Sequence, residues 1–214
     1  MPLTALDTFR DAMQALPLIA ILRGLAPGEA PAIGDAITGA GFRLLEVPLN
    51  SPRPLESIAL LRAHCPAALV GAGTVLGAQQ VREVHAAGGQ LVVAPNFDAE
   101  VVREAVRLGM VALPGVFTPT EAFAALAVGA HGLKLFPAEA ASPAVLKAML
   151  AVLPAGTPLM PVGGITPESM AGWRRAGAAG FGIGSALYKP GKDAAAVRED
   201  AQRFAAAHAG FTTV

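Results

Sequence analysis

The chain has 214 residues, of which 53% are hydrophobic and 15% are charged, and its 16 basic side chains are balanced by 16 acidic ones. This length suits one large domain or two small ones. With no net charge and no basic stripe, the sequence argues against a nucleic-acid-binding protein and against binding to an anionic membrane surface. No apolar run approaches the ~20 residues that a membrane-spanning helix needs.

The N-terminal segment MPLTALDTFRDAMQALP has acidic residues and helical spacing, and it lacks the basic region and the cleavage site of a signal peptide. Cys65 is the only cysteine, which excludes an internal disulfide framework and fits a reducing compartment. We therefore expect a cytoplasmic protein. The high apolar content also indicates a surface that is buried in an oligomer.

A helix is predicted over about residues 4–16, and eight short apolar runs follow it at nearly even intervals. The runs are LIAILRG (18–24), RLLEVPLN (43–50), ALVGAGT (68–74), QLVVAPN (90–96), VALPGVF (111–117), GLKLFP (132–137), PLMPVGG (158–164) and AGFGIGS (179–185). Near-continuous apolar strands are typical of a parallel sheet covered on both faces. Strands that alternate with helical segments indicate βαβ units.

The segments between these runs carry helix signals. TPTEAFAALAVG (118–129) and TPESMAGWRRAG (166–177) begin with Thr-Pro, an N-cap followed by proline at the first helical position, and both end at glycine. Eight such units without a linker predict a single domain over 1–214, a closed (β/α)8 TIM barrel whose extra N-terminal helix covers the bottom. A doubly wound open sheet is the alternative, and the even repeat length favours the barrel.

The active site of such a barrel lies at the carboxyl ends of its strands. Lys134 lies inside the sixth apolar run, whereas Lys147, Lys189 and Lys192 lie in helix or loop contexts. A lysine that is desolvated at a barrel mouth has a lowered pKa and can attack a carbonyl to form a Schiff base. The alternative is a structural lysine that pairs with a carboxylate or extends to water.

Glu46 is a second ionisable residue within an apolar strand, and its side chain could meet Lys134 across the mouth. Schiff-base chemistry needs a group that moves protons, and a carboxylate with a raised pKa can do this. A buried Glu46–Lys134 ion pair is the structural alternative, and both interpretations predict that the two side chains are close.

Glycine-rich segments end the last two runs, with Gly163 and Gly164 in one and Gly184 and Ser185 in the other. Open backbone amides ahead of a helix commonly hold a phosphate at this end of a barrel. Ordinary tight turns, which also favour glycine, are the alternative.

Three further residues could contact a small ketoacid. Thr74 could donate its hydroxyl to a carboxylate or carbonyl, and Pro95 and Phe136 could form apolar walls beside it. No histidine falls at a strand carboxyl end, so we expect no metal site. No glycine-rich dinucleotide fingerprint follows the first strand, so we expect no nucleotide cofactor.

Together, EVPLNS, VGAGTVL, LKLFPAE and PVGGITPE resemble the class I aldolases that cleave 2-keto-3-deoxy-6-phospho sugar acids, and the resemblance extends from about Leu18 to Pro190. It implies a metal-independent homotrimer without a cofactor, which releases pyruvate from a phosphorylated keto-deoxy sugar acid. The implied residue roles are a Schiff base on Lys134, proton relay by Glu46, pyruvate binding by Thr74 and Pro95, packing by Phe136, and phosphate binding by Gly163, Gly164 and Ser185.

The family has a gluconate and a galactonate branch. The gluconate branch usually has Thr-Leu-Arg-Thr after the glutamate and a threonine before the paired glycines, where this sequence has Asn50 and Val162. IAILRG, with Arg23, resembles the galactonate branch, and Arg23 is the candidate for the missing anion contact. The alternatives are the gluconate epimer or dual specificity, another phosphate-binding barrel enzyme, and a non-catalytic phosphosugar sensor.

Overall fold

The fold comes from a computed structural model, which describes residues 3–210. Residues 1–2 and 211–214, and with them the end of the HAGFTTV segment, lie outside the described residues.

In chain order the elements are α1 (Ala5–Ala15), β1 (Leu18–Ile21), α2 (Ala30–Thr38), β2 (Leu44–Pro48), α3 (Pro54–His64), β3 (Leu69–Gly73), α4 (Ala78–Ala86), β4 (Leu91–Val93), α5 (Ala99–Arg107), β5 (Val111–Leu113), β6 (Gly115–Val116), α6 (Pro119–Ala127), β7 (Leu133–Leu135), α7 (Pro143–Leu150), β8 (Leu159–Pro161), α8 (Pro167–Arg175), β9 (Phe181–Ile183) and α9 (Ala194–Ala209). Short 3-10 turns precede α2 and α7.

The strands pair in parallel and form a curled sheet in two parts. Six strands pair in the order β5-β4-β3-β2-β1-β9, and three pair in the order β6-β7-β8. β5 and β6 flank Pro114, which has no N–H to donate to a ladder. An isolated bridge between Val162 and Gly182 connects the end of β8 to β9. All eight predicted apolar runs contain a strand, and the fifth contains two.

The core has two parts because side chains of a strand alternate between its faces. On β2, Leu45 and Val47 belong to the larger apolar cluster, whereas Leu44 belongs to a second cluster with residues such as Leu69 and Leu91. Glu46 therefore shares the face of Leu44.

The same alternation orients Lys134 on β7. Its neighbours Leu133 and Leu135 belong to the larger cluster, so the lysine projects from the opposite face of the strand. The sequence pattern thus directs the amine and the Glu46 carboxylate away from the larger cluster.

Helix α1 supplies apolar side chains to the second cluster. Its residues Ala5, Phe9 and Ala12 pack there with residues at the amino ends of the strands. A capping box starts the helix: the Asp7 N–H donates to Thr4 Oγ1 at 3.1 Å, and the Thr4 N–H donates to Asp7 Oδ2 at 3.2 Å. No helix within residues 3–210 is both long enough and apolar enough to cross a membrane.

Candidate active site

Lys134 is a buried lysine held by strand pairing. It lies in β7 between β6 and β8, is 7% exposed, and its backbone N–H donates to the Pro114 carbonyl at 2.9 Å. Its Nζ atom lies 4.5 Å from the centroid of the Phe136 ring. Burial lowers the pKa of the Lys134 amine, the charge of Glu46 opposes this shift, and Arg23 adds to it. The shift favours the neutral amine, which is the nucleophilic form.

Glu46 is the second buried ionisable group of the site. It is 2% exposed, and its Oε2 atom is buried without a hydrogen-bond partner. Burial raises the pKa of Glu46 to about 7, against the opposing charges of Lys134 and Arg23. None of the ion pairs within residues 3–210 joins Glu46 to Lys134, so the geometry does not support a structural ion pair.

The Glu46 carboxylate has room because its neighbour in β3 is a glycine. Gly73 pairs with Pro48 across the ladder, and a Cβ atom at Gly73 would overlap the Glu46 carboxylate. Thr74, directly after Gly73, has a φ of 56°, which is a rare conformation for a β-branched residue. The carboxyl end of β3 is therefore shaped around the Glu46 side chain.

A cavity of about 600 Å³ opens where the loops after β1, β2, β7, β8 and β9 meet. It brings together nine of the twelve residues expected in the site: Lys134, Arg23, Asn50, Phe136, Val162, Gly163, Gly164, Gly184 and Ser185. A small phosphorylated substrate fits a cavity of this size.

Three expected residues do not line this cavity, namely Glu46, Thr74 and Pro95. Glu46 is buried, whereas Thr74 and Pro95 follow β3 and β4 and are half-buried. The cavity unites the lysine with the glycine-rich loops, and the two expected pyruvate contacts lie outside its lining.

The loop after β8 combines two glycines of positive φ with the start of a helix. Gly163 and Gly164 have φ values of 110° and 63°, which favour glycine, and α8 begins soon afterwards at Pro167 with Thr166 as its N-cap. The positive end of the helix dipole is thereby directed toward this loop. Gly184, in the loop after β9, faces open space.

Sequence reasoning missed ten of the residues that line the cavity, among them the polar side chains of Glu139, Tyr188 and Lys189. The Glu139 carboxylate lies against Gly163, where a Cβ atom would overlap it. Glu139 lies in the LKLFPAE segment, two residues after Pro137, and a glutamate in a loop gives no signal of its own in the sequence. Glu139 is exposed, so its side chain has other rotamers open to it on the solvent side.

The histidines lie apart from the cavity. His64 ends α3 and contacts Asp35, His85 is in α4, His131 precedes β7, and His208 is in α9. Residues 3–210 contain no group of three or more His, Cys, Asp or Glu side chains arranged to hold a metal ion.

Comparison with known proteins identifies the family. Residues 9–203 match the family model described as KDPG and KHG aldolase. The chain is 48% identical over 194 residues to the 2-dehydro-3-deoxy-6-phosphogalactonate aldolase of Escherichia coli (strain K12), covering 90% of this chain and 95% of that protein.

Two further comparisons agree. The chain is 49% identical over 186 residues to a probable 2-dehydro-3-deoxy-6-phosphogalactonate aldolase of Rhizobium meliloti (strain 1021), covering 86% of this chain and 88% of that protein. A solved structure described as native KDPGal superposes with a TM-score of 0.91 at 46% identity, covering 93% of this chain and 97% of that one. With its buried strand lysine, its glycine-rich loops and these matches, the chain belongs to the KDPG and KHG aldolase family.

Proposed function

We propose that this protein is a class I aldolase that cleaves 2-dehydro-3-deoxy-6-phosphogalactonate to pyruvate and glyceraldehyde 3-phosphate. The observation that carries the proposal is Lys134, a buried lysine with a lowered pKa on the wall of a cavity that also contains the paired glycines. The galactonate-derived substrate is supported by the names of the relatives at 48% and 49% identity, and they do not favour the gluconate epimer.

The reaction begins at the neutral Lys134 amine. Its lone pair attacks the C2 carbonyl carbon to form a carbinolamine, and loss of water leaves a protonated imine. Glu46, acting through a water molecule, removes the proton of the C4 hydroxyl. The C3–C4 bond then breaks, and its electron pair moves into the iminium to give an enamine. Glyceraldehyde 3-phosphate leaves as the aldehyde product.

The second half of the reaction regenerates the lysine. A proton returns to C3 of the enamine, which restores the iminium, and water then hydrolyses it to pyruvate and the free amine. The mechanism uses no cofactor and no metal, because the iminium is itself the electron sink. Glu46, with a pKa of about 7, can both accept and return a proton near neutral pH.

The proposed contacts with the phosphate come from the loops after β1, β8 and β9. In our proposal the phosphate binds to the amides of Gly163 and Gly164 and to Ser185 beside Gly184, with Arg23 as the cationic contact. Phe136 packs near the reacting carbons. Binding energy from this remote phosphate aligns the C4 hydroxyl for bond cleavage.

The pyruvate end of the substrate lies toward β3 and β4 in this proposal. Thr74 and Pro95 contact it there, beyond the lining of the cavity, which requires that the substrate extend past Lys134 toward these strands.

We also infer a closed (β/α)8 barrel formed by one domain. Parallel pairing runs from β9 through β5, the chain continues directly from β5 into β6, and the Val162–Gly182 bridge joins β8 to β9. The packing of α1 among the first residues of the strands supports its position at the bottom. A cytoplasmic homotrimer is the assembly that the resemblance implies.

A cleavage assay with both epimers tests the proposal. Pyruvate release is followed with lactate dehydrogenase, and we expect a higher kcat/KM for the galactonate-derived substrate. Lys134→Ala should lose nearly all activity, whereas Lys147→Ala, which removes an exposed helical lysine, serves as the matched control and should retain it. A wild type that cleaves neither substrate would overturn the proposal.

A further inference from the structure

Arg23 and Asn50 form a contact between two loops at the rim of the cavity. Arg23 Nη1 donates to Asn50 Oδ1 at 2.7 Å, and beside it the Gly24 N–H donates to Ser51 Oγ at 2.9 Å. Ser51 is only 8% exposed, and its own N–H donates to the Pro48 carbonyl. The loop after β1 is thus attached to the loop after β2 at two adjacent points.

The Arg23 side chain needs such an attachment. It is exposed, and a long exposed side chain samples many rotamers unless a contact restricts it. A guanidinium has five N–H donors and no acceptor, so its bond to Asn50 leaves other donors free for an anion.

The neutrality of Asn50 matters as well. An aspartate or glutamate would hold the guanidinium more tightly but would neutralise the charge that attracts a phosphate. The asparagine oxygen fixes the position of the guanidinium and preserves its charge.

We propose that Asn50 is a positioning residue, which holds the Arg23 guanidinium over the cavity for the substrate phosphate and does not itself bind the substrate. This inference rests on the proposed function and assigns an indirect role to Asn50, one of the expected site residues. The hydrogen bond at 2.7 Å and the shared cavity lining carry it.

Steady-state kinetics of Arg23→Ala, Asn50→Ala and the double variant test the proposal. Asn50→Ala should lower kcat/KM for the phosphorylated substrate about five- to ten-fold, the size of loss expected for one ordinary hydrogen bond. Arg23→Ala should lower kcat/KM at least as much. Because Asn50 acts only through Arg23, the double variant should match Arg23→Ala within about two-fold.

Three further measurements separate the possible failures. The dephosphorylated substrate should be cleaved equally by wild type and Asn50→Ala, and thermal unfolding should show that Asn50→Ala, at an exposed position, remains folded. The positioning role would be overturned if the kinetic losses of the two single variants multiplied in the double variant, or if Arg23→Ala had the kinetics of the wild type. A wild type that neither cleaves substrate nor forms a Schiff base with pyruvate would instead overturn the proposed function, so the two failures are distinguishable.

Discussion

Glu46 and Lys134 are ionisable groups that burial shifts toward their neutral forms. The pKa of the lysine is lowered and that of the glutamate is raised to about 7, in each case mainly by loss of water contact. Each also opposes the shift of the other through its charge. This balance leaves an amine that can attack and a carboxyl group that can exchange protons near neutral pH.

The pKa of Glu46 gives a pH prediction. As the base that accepts the C4 hydroxyl proton, Glu46 must be ionised, so activity should rise with pH through about 7 and fall below it. Glu46→Gln should lower kcat about 10²- to 10⁴-fold while Lys134 still forms its Schiff base. The measurements are the pH profile of kcat and the carbon-13 NMR titration of glutamate carboxyls. A variant that retains the resonance titrating near pH 7 would contradict the assignment to Glu46.

Lys134 and Glu46 stand out in the sequence because each is a charged residue within an apolar strand, and the structure buries both. Glu139 does not, since a glutamate in a loop is ordinary, and only the fold brings it against Gly163. The contact between Arg23 and Asn50 joins loops 27 positions apart in sequence, and no local pattern indicates it.

The pairing of β2 with β3 determines where the Glu46 carboxylate can lie. Gly73→Ala should place a methyl group on that carboxylate, so we expect lower activity and a loss of stability of about 1–3 kcal/mol, as for other overpacked cores. Chemical denaturation and the cleavage assay measure the two effects. Gly28→Ala is the matched control, because a Cβ atom there has nothing within 4 Å. Equal stability and activity in the two variants would show that Glu46 does not need the space.

The end of β8 carries the prediction about substrate choice. Val162 is 5% exposed, lines the cavity, and has its backbone held by hydrogen bonds to Leu135 and Ala138. A threonine of nearly the same shape adds a hydroxyl that can bind the C4 hydroxyl of one epimer. We expect Val162→Thr to shift the kcat/KM ratio toward the gluconate-derived substrate by about 1 kcal/mol, or several-fold.

The control for this variant is Val145→Thr on the exposed face of α7, which should leave the ratio unchanged. Equal losses for both epimers in Val162→Thr would mean that Val162 only packs against Gly182.

At the scale of elements, the apolar runs indicated the strands because buried parallel strands are continuous in hydrophobicity. The split of the fifth run into β5 and β6 was not predicted, although Pro114, which cannot donate to the ladder, lies between them. The Thr-Pro signals placed the starts of α6 and α8 correctly, at Pro119 and Pro167. Local chemistry determines such boundaries, whereas the pairing order depends on contacts distant in sequence.

In the whole molecule, α1 packs against strand residues through the second cluster, and the loops after the strands surround the cavity. Apolar side chains also remain exposed, including Leu76, Phe117 and Phe123. The expected homotrimer stays a prediction, and these side chains are available for a subunit interface. Assembly leaves no pattern in the sequence comparable to strand periodicity, because an interface is assembled from distant segments.

The central claim is a covalent bond between pyruvate and Lys134. The protein is incubated with pyruvate and EDTA, reduced with borohydride and digested, and the peptides are analysed by mass spectrometry. We predict one reduced pyruvyl group on the peptide that contains Lys134, in the same yield with and without EDTA. Lys134→Arg should carry no such group. Labelling at Lys147, Lys189 or Lys192 instead, or no labelling of active enzyme, would contradict the account.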